Sequence, residues 1–262
     1  MWKIVLLIAG ISLTSCKTPK PKPADKVKDQ AINVNFTIES TIPLSSSGFD
    51  PFRIDLDLKD GEGKTIEIGP SDEMRFFLNS VEYQVIKGYC SDLYGPRYLC
   101  GYMFAPWNSQ SVTTLAQPLD ISLEIKIGKT RLITAKAILP QFITLSSSAP
   151  ADKKFNPLTD PIQINWISSV PLKHILYNAG RFENTACRGS KSVIPQKDDT
   201  YIQYGANELG LDPAICNPMS YAVVTAVIDS ITVMQTNVPL ASATVRLNQT
   251  TNLDLLSEPF SP

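Results

Sequence analysis

After residue 31 the chain alternates between apolar and polar positions with a period of two. This is the pattern of a strand with one buried face, and clear examples begin at Val34, Ile54, Ile121, Ile162 and Val223. Turns rich in Gly, Pro, Ser and Asp separate these segments, and no long helical pattern interrupts them. The chain is therefore predicted to be all-β, with many short strands arranged in a sandwich or barrel.

Two short motifs recur at a nearly constant interval. A Phe-Asp/Asn-Pro motif precedes a strand pattern at Phe49 and again at Phe155, an offset of 106 residues, and the strand pattern at Ala135 matches one at Ala243, an offset of 108 residues. A copy of about 110 residues is close to the size of one immunoglobulin-like sandwich. We therefore predict two tandem immunoglobulin-like β-sandwich domains at residues 32–140 and 141–262, against the alternative of one continuous β domain.

The second copy contains a short resemblance to a known type of module. The segments Ile162–Trp166 and Leu172–Tyr177 resemble the early strands of fibronectin type III and immunoglobulin-like modules. The resemblance implies that Trp166 packs across the core of a sandwich. Because such modules have many unrelated functions, it implies nothing specific about activity.

The N-terminus has the organisation of an export signal. Met1-Trp2-Lys3 is followed by an apolar run from Ile4 to Leu13. Ten residues are too few for a helix to cross a bilayer core of about 30 Å. Residues 1–15 are therefore predicted to be a signal peptide.

The sequence Leu13-Thr14-Ser15-Cys16 resembles the bacterial lipobox. The resemblance implies a lipoprotein in which Cys16 becomes the first mature residue and its sulfur carries diacylglycerol, with palmitate-type acyl chains holding the protein in a membrane. Lys17 stands where the best-known retention signal for the inner membrane has Asp, which implies the outer membrane of the cell envelope. The alternative is an ordinary secretory signal followed by an incidental cysteine.

Residues 16–31 are rich in Lys and Pro, and this composition predicts a tether. Five Lys and two Asp give the segment a charge of +3. Alternating Lys and Pro favour an extended conformation of about 3.1 Å per residue, so the segment is predicted to be a disordered spacer on the order of 40 Å long. Contact of its lysines with anionic lipid headgroups is an alternative role.

Composition narrows the range of partners. Hydrophobic residues make up 43% of the 262 residues, charged residues 19%, and the formal net charge is −1. This is the composition of an ordinary globular protein. It provides no basic field for binding nucleic acid, which is therefore not expected as a partner.

Four cysteines remain besides Cys16, namely Cys90, Cys100, Cys187 and Cys216. An even number in an exported protein predicts two disulfides, with three possible connectivities. If each domain folds separately, Cys90 pairs with Cys100 and Cys187 with Cys216. The spacings do not match those of a zinc site.

Catalytic signatures are weak throughout the chain. His174 is the only histidine and lies in a predicted strand without a nucleophile motif, and Gly61-Glu62-Gly63-Lys64 lacks the spacing of a phosphate-binding loop. Asp55 and Asp57 share the solvent face of one strand, and Asp60 starts a turn. Lys59 occupies the position where a calcium loop of this type needs an acid. We predict no cofactor, no metal and no catalytic residue.

One segment around the first cysteine pair is unusually rich in aromatic residues. Tyr, Trp and Arg dominate binding hot spots, and a loop closed by a disulfide loses less entropy on binding. We therefore expect a protein or glycan partner to bind there, with packing of the aromatic side chains onto their own domain as the alternative. The predicted contact residues are Tyr94, Arg97, Tyr98, Tyr102 and Trp107.

A second candidate is the surface loop between Gly189 and Pro213, inside the other cysteine pair.

Together these patterns predict a lipid-anchored envelope protein that acts as a non-catalytic binding or adhesion module. The alternatives are a structural or accessory subunit of an envelope assembly and a glycan hydrolase that uses paired carboxylates.

Overall fold

The structure is a computed structural model that describes residues 20–42, 52–91, 97–104, 118–149 and 155–256. The predicted signal peptide and Cys16 lie outside these residues. The alternating patterns form strands throughout the described part of the chain, and the all-β prediction is confirmed.

Eighteen strands carry the described fold, together with three single 3-10 turns at Ala24–Lys26, Asp29–Ala31 and Thr185–Cys187 and one short α-helix at Pro213–Cys216. The strands are β1 Lys22–Pro23, β2 Asn33–Ile42, β3 Phe52–Lys59, β4 Ile66–Glu67, β5 Glu73–Leu78, β6 Val81–Tyr83, β7 Val85–Ser91, β8 Arg97–Phe104, β9 Asp120–Ile127, β10 Arg131–Ile138, β11 Thr144–Ser147, β12 Ile162–Ile167, β13 His174–Gly180, β14 Arg188–Val193, β15 Tyr201–Tyr204, β16 Tyr221–Val233, β17 Gln235–Thr236 and β18 Ser242–Asp254.

Each half of the chain has the strand order of an immunoglobulin-like sandwich. In the first half, β2-β3-β8-β7 follow the order A-B-E-D and β10-β9-β5-β6 follow the order G-F-C-C′. In the second half, β11-β12-β15 follow the order A-B-E and β18-β16-β13-β14 follow G-F-C-C′. Each half thus repeats the same pairing pattern.

The internal repeat corresponds to equivalent strands of the two halves. The strand after Phe49 is β3 and the strand after Phe155 is β12, and both occupy the B position. The strands at Ala135 and Ala243 are β10 and β18, and both occupy the G position. The short sequence matches therefore reflect a structural repeat.

The halves are joined through one continuous sheet. The first strand of the first half, β2, pairs in parallel with the last strand of the second half, β18, over ten residue pairs from Asn33↔Ser242 to Ile42↔Thr251. This pairing unites four strands from each half in an eight-stranded sheet, β14-β13-β16-β18-β2-β3-β8-β7. The halves are consequently two sandwiches that share a sheet.

Buried side chains also form one continuous cluster across the two halves. In the first half, the rings of Phe76 and Phe104 stack with centroids 4.3 Å apart, and Phe36 packs beside both. In the second half, Tyr177 packs on Tyr204 at 4.9 Å, and Trp166 is 7% exposed. The expectation that Trp166 belongs to the core is therefore confirmed.

The predicted tether is wrong for the residues that the structure describes. Lys20–Ala31, called the strap below, lies along the first half. Its strand β1 pairs in parallel with β4, and Ala24 and Val27 are only 1% and 4% exposed. The Arg131 guanidinium binds the Asp29 carboxylate, and Lys22 binds Asp60 at 3.3 Å. The Lys-Pro composition predicted an extended solvated chain. However, Ala24 and Val27 are apolar, and they are buried in the core of the protein.

The strand registers define two ends of the large sheet. At the strap end, β2 begins at Asn33, beside the start of β18 at Ser242. At the opposite end, β18 finishes at Asp254 beside Val223 of β16, and Gly180, the last residue of β13, pairs with Tyr221. The strap therefore lies at the opposite end from the last residues of β13.

Candidate functional site: an exposed aromatic patch

The aromatic segment predicted as a binding loop is largely a pair of strands. It runs through β7 and β8, which pair antiparallel from Val85↔Phe104 to Ser91↔Arg97. Arg97 and Phe104 are therefore at opposite ends of a strand about 24 Å long.

Tyr102, one of the five predicted contact residues, is a core residue. It is 2% exposed, its hydroxyl donates to the Ile66 carbonyl at 2.9 Å, and it accepts from the Ile68 N–H at 2.9 Å. Burial raises the pKa of this phenol to about 12. The prediction of Tyr102 as a contact residue is wrong, because its position on β8 points it between the sheets. Tyr94 and Trp107, and the side chains of Arg97 and Tyr98, lie outside the described residues.

The cysteines of the second half form the predicted disulfide. Cys187 and Cys216 are bonded across a sequence separation of 29 residues, with Cα atoms 5.2 Å apart. Both are buried, beside Leu158, Leu211 and Met219. Cys100 is also disulfide-bonded. The side chain of Cys90, its predicted partner, lies outside the described side chains.

The Cys187–Cys216 bridge supports an exposed apolar surface at the end of the sheet opposite the strap. Phe182 is 59% exposed and stacks on Tyr221 with ring centroids 5.1 Å apart and an interplanar angle of 28°. Ile215, in the short helix next to Cys216, is 56% exposed. We call this surface the disulfide patch, defined by Arg181, Phe182, Arg188, Ile215 and Tyr221.

Backbone contacts hold the disulfide patch in one conformation. The Arg181 N–H donates to the Cys187 carbonyl at 2.9 Å, and the Ser220 N–H donates to the Gly180 carbonyl at 2.8 Å. A Cβ atom at Gly180 would lie 2.6 Å from the Cys187 carbonyl oxygen and 2.8 Å from the Tyr221 hydroxyl. Only glycine fits at this point, where three segments meet.

Two arginines tie the segments of the disulfide patch together. Arg181 Nη1 donates to the Ile215 carbonyl at 3.4 Å, and Arg188 Nη2 donates to the Phe182 carbonyl at 2.8 Å. Both acceptors are neutral. Among the residues that the structure describes, neither guanidinium forms a salt bridge, so the disulfide patch combines exposed apolar groups with two arginine side chains that are not ion-paired.

The other strongly exposed apolar side chains lie on strands or loops outside the disulfide patch, and two of them, Ile231 and Val233, share one face of β16. Ile167 is 71% exposed and Ile194 is 73% exposed, and neither has an aromatic stacking partner or a disulfide among its described contacts. Single exposed apolar residues are normal on protein surfaces. The clustering of Phe182, Ile215 and Tyr221 on a cross-linked framework is what makes the disulfide patch unusual.

The residues considered for catalysis remain dispersed in the described structure. His174 starts β13 and faces Val227 of β16, while Asp55 and Asp57 bind their neighbours Arg53 and Lys59 on β3. Asp60 is 2% exposed, and its burial raises the pKa of its carboxyl. Hydrogen bonds accepted from the Lys64 and Glu62 N–H groups, together with Lys22, outweigh the burial and lower this pKa below its ordinary value. No group of three or more His, Cys, Asp or Glu that could hold a metal ion is found among the described residues.

Sequence reasoning did not identify the disulfide patch. Arg181-Phe182 directly follows the strand pattern that ends near Gly180 and comes five residues before Cys187. An aromatic residue next to an arginine at the end of a strand and close to a disulfide was the available signal. The prediction concerned the interval from Gly189 to Pro213, which begins after this pair and stops before Ile215.

Comparison with protein families, with curated proteins and with solved structures finds no match to this chain. Within the described ranges, no helix has the length and apolar character needed to cross a membrane.

Proposed function

We propose that this protein is a lipid-anchored binding module of the cell envelope. A partner binds at its disulfide patch, and the protein itself catalyses no reaction. The observation that carries the proposal is the rigid cluster of Phe182, Tyr221 and Ile215 beside Arg181 and Arg188. Aromatic residues and arginine supply most of the binding energy in protein interfaces.

Pre-organisation supports a binding role for this cluster. Ordering a flexible loop costs free energy at the moment of binding, and a disulfide removes much of that cost in advance. The bridge joins the connection after β13 to the connection before β16, so both sides of the disulfide patch are fixed relative to the sheet. A polypeptide partner with apolar side chains and a carboxylate would complement its apolar surface and its two guanidinium groups.

The lipid anchor is proposed from the lipobox resemblance at Cys16, and with it the position in the outer membrane. Several acyl chains on one terminus hold a protein stably at a membrane, whereas a single chain binds reversibly. A binding module fixed in this way presents its disulfide patch at a constant location in the envelope.

Partner recovery after cross-linking tests the binding role. The full chain is expressed in its native envelope, cross-linked and purified, and co-purified proteins are quantified by mass spectrometry. Phe182→Ala combined with Ile215→Ala should lower recovery of the main partner by about tenfold or more, since loss of a hot-spot residue costs about 2 kcal/mol or more.

The matched control is Ile167→Ala combined with Ile194→Ala, which removes two apolar side chains that are more exposed than Phe182 and Ile215 and lie away from the disulfide patch. This control should leave recovery unchanged. Equal recovery from the wild type and from the Phe182/Ile215 variant would contradict the proposal.

A structural role in an envelope assembly is the second candidate, and the open edges of the large sheet favour it. β7 and β14 are its outermost strands, and each pairs on one side with a neighbour of the same sheet. A partner could add a strand there through main-chain hydrogen bonds. A constitutive complex that survives the Phe182/Ile215 substitutions would favour this second candidate.

A further inference from the structure

We infer that the lipid anchor holds the strap end of the molecule directly against the bilayer, so that the disulfide patch faces away from the membrane. This inference rests on the proposed lipidation of Cys16. It deepens the proposed function because it states from which side a partner reaches the disulfide patch.

The strap is packed onto the folded protein. The Lys22 N–H donates to the Thr65 carbonyl at 2.9 Å, and the Arg131 guanidinium holds Asp29 at the other side of the strap. Ala24 and Val27 are buried in the core cluster. These contacts fix the position of the chain from Lys22 onward.

The chain between the lipidated cysteine and the strap is short. Cys16 and Lys20 are four residues apart in the sequence. A fully extended chain spans at most about 3.3–3.6 Å per residue, so the Cα atom of Lys20 lies within about 14 Å of the Cα atom of the lipidated Cys16. The strap end therefore cannot move far from the lipid headgroups.

The large sheet extends from the strap end towards the disulfide patch. β18 starts beside Asn33 at the strap end and ends at Asp254, and its thirteen residues span about 40 Å. Gly180 and Tyr221, which carry the disulfide patch, are at the far end of this span. With the strap end at the bilayer, the far end is the part of the sheet most distant from the anchor.

Charged groups at the strap end suit a lipid surface. The carboxylates of Asp25, Asp29 and Asp60 are each paired with a Lys or Arg. Asp72 accepts from the Gly69 and Gly128 N–H groups. Within the described part of the chain, three exposed lysines at this end have no carboxylate partner and are free to meet anionic headgroups. They are Lys20, Lys28 and Lys129.

The test uses the mature, full-length lipidated protein in phosphatidylcholine vesicles that contain a lipid with a nitroxide on its headgroup, with and without added phosphatidylglycerol. A fluorophore is attached to Thr130→Cys at the strap end or to Ala206→Cys after β15 at the far end, both exposed sites. The label at residue 130 should be quenched several-fold more strongly than the label at residue 206. Lys129→Cys replaces Thr130→Cys if that variant does not fold.

A flexible Gly/Ser insertion between Thr18 and Pro19 is the control for the short reach, and it should reduce the difference between the two labels. Equal quenching at residues 130 and 206 in protein that floats with the vesicles would overturn the inferred orientation while leaving the anchor intact. Protein that does not float with the vesicles would instead contradict the proposed lipidation, and the orientation with it.

Discussion

Among individual residues, the tyrosines differ in burial. Some are buried, and others expose the ring to solvent. Tyr102 is buried and hydrogen-bonded to two backbone groups, whereas Tyr89, five residues before Tyr94, has 60% of its surface exposed. Composition does not distinguish these two types, because the difference lies in which face of a strand each residue occupies. Period two assigns alternate residues to opposite faces, but it does not say which face is covered.

Replacing Tyr102 by Phe should lower the free energy of unfolding by about 1–3 kcal/mol. The substitution leaves the Ile68 N–H and the Ile66 carbonyl buried without their partner, and an unsatisfied buried group costs that much. Urea denaturation measures the effect. Tyr89→Phe is the control and should change the stability by less than about 0.5 kcal/mol. Equal stability of both variants would show that the Tyr102 hydroxyl contributes nothing.

Asp229 should contribute stability that depends on pH. The fork of hydrogen bonds from Arg246, at 2.8 and 2.7 Å, holds the pKa of this carboxyl at about 2, against an ordinary value of 3.8. A carboxylate whose pKa is lowered on folding stabilises the native state above its unfolded pKa and loses that effect as pH falls through its folded pKa.

Urea midpoints of the wild type and Asp229→Asn should therefore differ well above pH 3.8, with the wild type more stable. The gap should narrow as the pH falls from 3.8 to about 2. Glu62→Gln, which removes an exposed carboxylate paired with Lys64, is the control and should show a smaller difference in midpoint. A difference for Asp229→Asn that is constant over this range would contradict the assignment.

At the scale of the elements, strands were predictable where local pattern decides the conformation. The alternation at Val34, Ile54 and Ile121 predicted β2, β3 and β9 because each strand has one face in the core. The strap was not predictable in the same way. Its Lys-Pro composition favours an extended solvated chain, whereas tertiary contacts, among them the burial of Ala24 and Val27 and the pairing of β1 with β4, bring it onto the fold.

The Cys187–Cys216 bridge should stabilise both the fold and the shape of the disulfide patch. Changing both cysteines to Ser should lower the free energy of unfolding by about 2–4 kcal/mol, because the bridge restricts the unfolded chain over a loop of this size. The variant should also show faster hydrogen exchange at residues 181–187 than the wild type, measured by mass spectrometry.

Exchange at β2 and β18, which are remote from the bridge, provides the internal control and should change less than exchange at residues 181–187. Unchanged exchange at residues 181–187 would mean that hydrogen bonds alone, such as those of Arg181 and Arg188, fix the disulfide patch.

At the scale of the whole molecule, the pairing of β2 with β18 makes two sandwiches into one structural unit. The residues of this pair are about 209 positions apart in the sequence, as in the hydrogen bond from the Thr244 hydroxyl to the Asn35 side chain. No local pattern specifies a contact over such a separation. The internal repeat predicted the two halves, but the shared sheet follows only from the tertiary structure.

Thermal unfolding of the full chain should accordingly occur in one transition. Phe36→Leu in the first half and Tyr177→Leu in the second half each remove packing from the same continuous core cluster. Calorimetry should show that each substitution lowers the temperature of the whole transition. Two separate transitions, each sensitive to only one substitution, would contradict the coupling of the halves.

The candidate site was less predictable than the fold. Sequence reasoning correctly paired Cys187 with Cys216, because the positions of the cysteines along the chain limited the choices. It wrongly assigned Tyr102, a core residue, to the contact surface, and it did not single out the exposed Phe182 or Ile215. Whether an aromatic residue is exposed depends on the packing of segments distant in sequence, here the connections after β13 and before β16.

Site-specific photo-cross-linking in intact cells tests whether a partner binds the disulfide patch. A photoreactive phenylalanine analogue at Phe182 should give a discrete cross-linked adduct with one envelope component, whereas the same analogue at Ile194, which is more exposed, should not. Absence of an adduct at position 182, or the same adducts at both positions, would contradict the proposed binding.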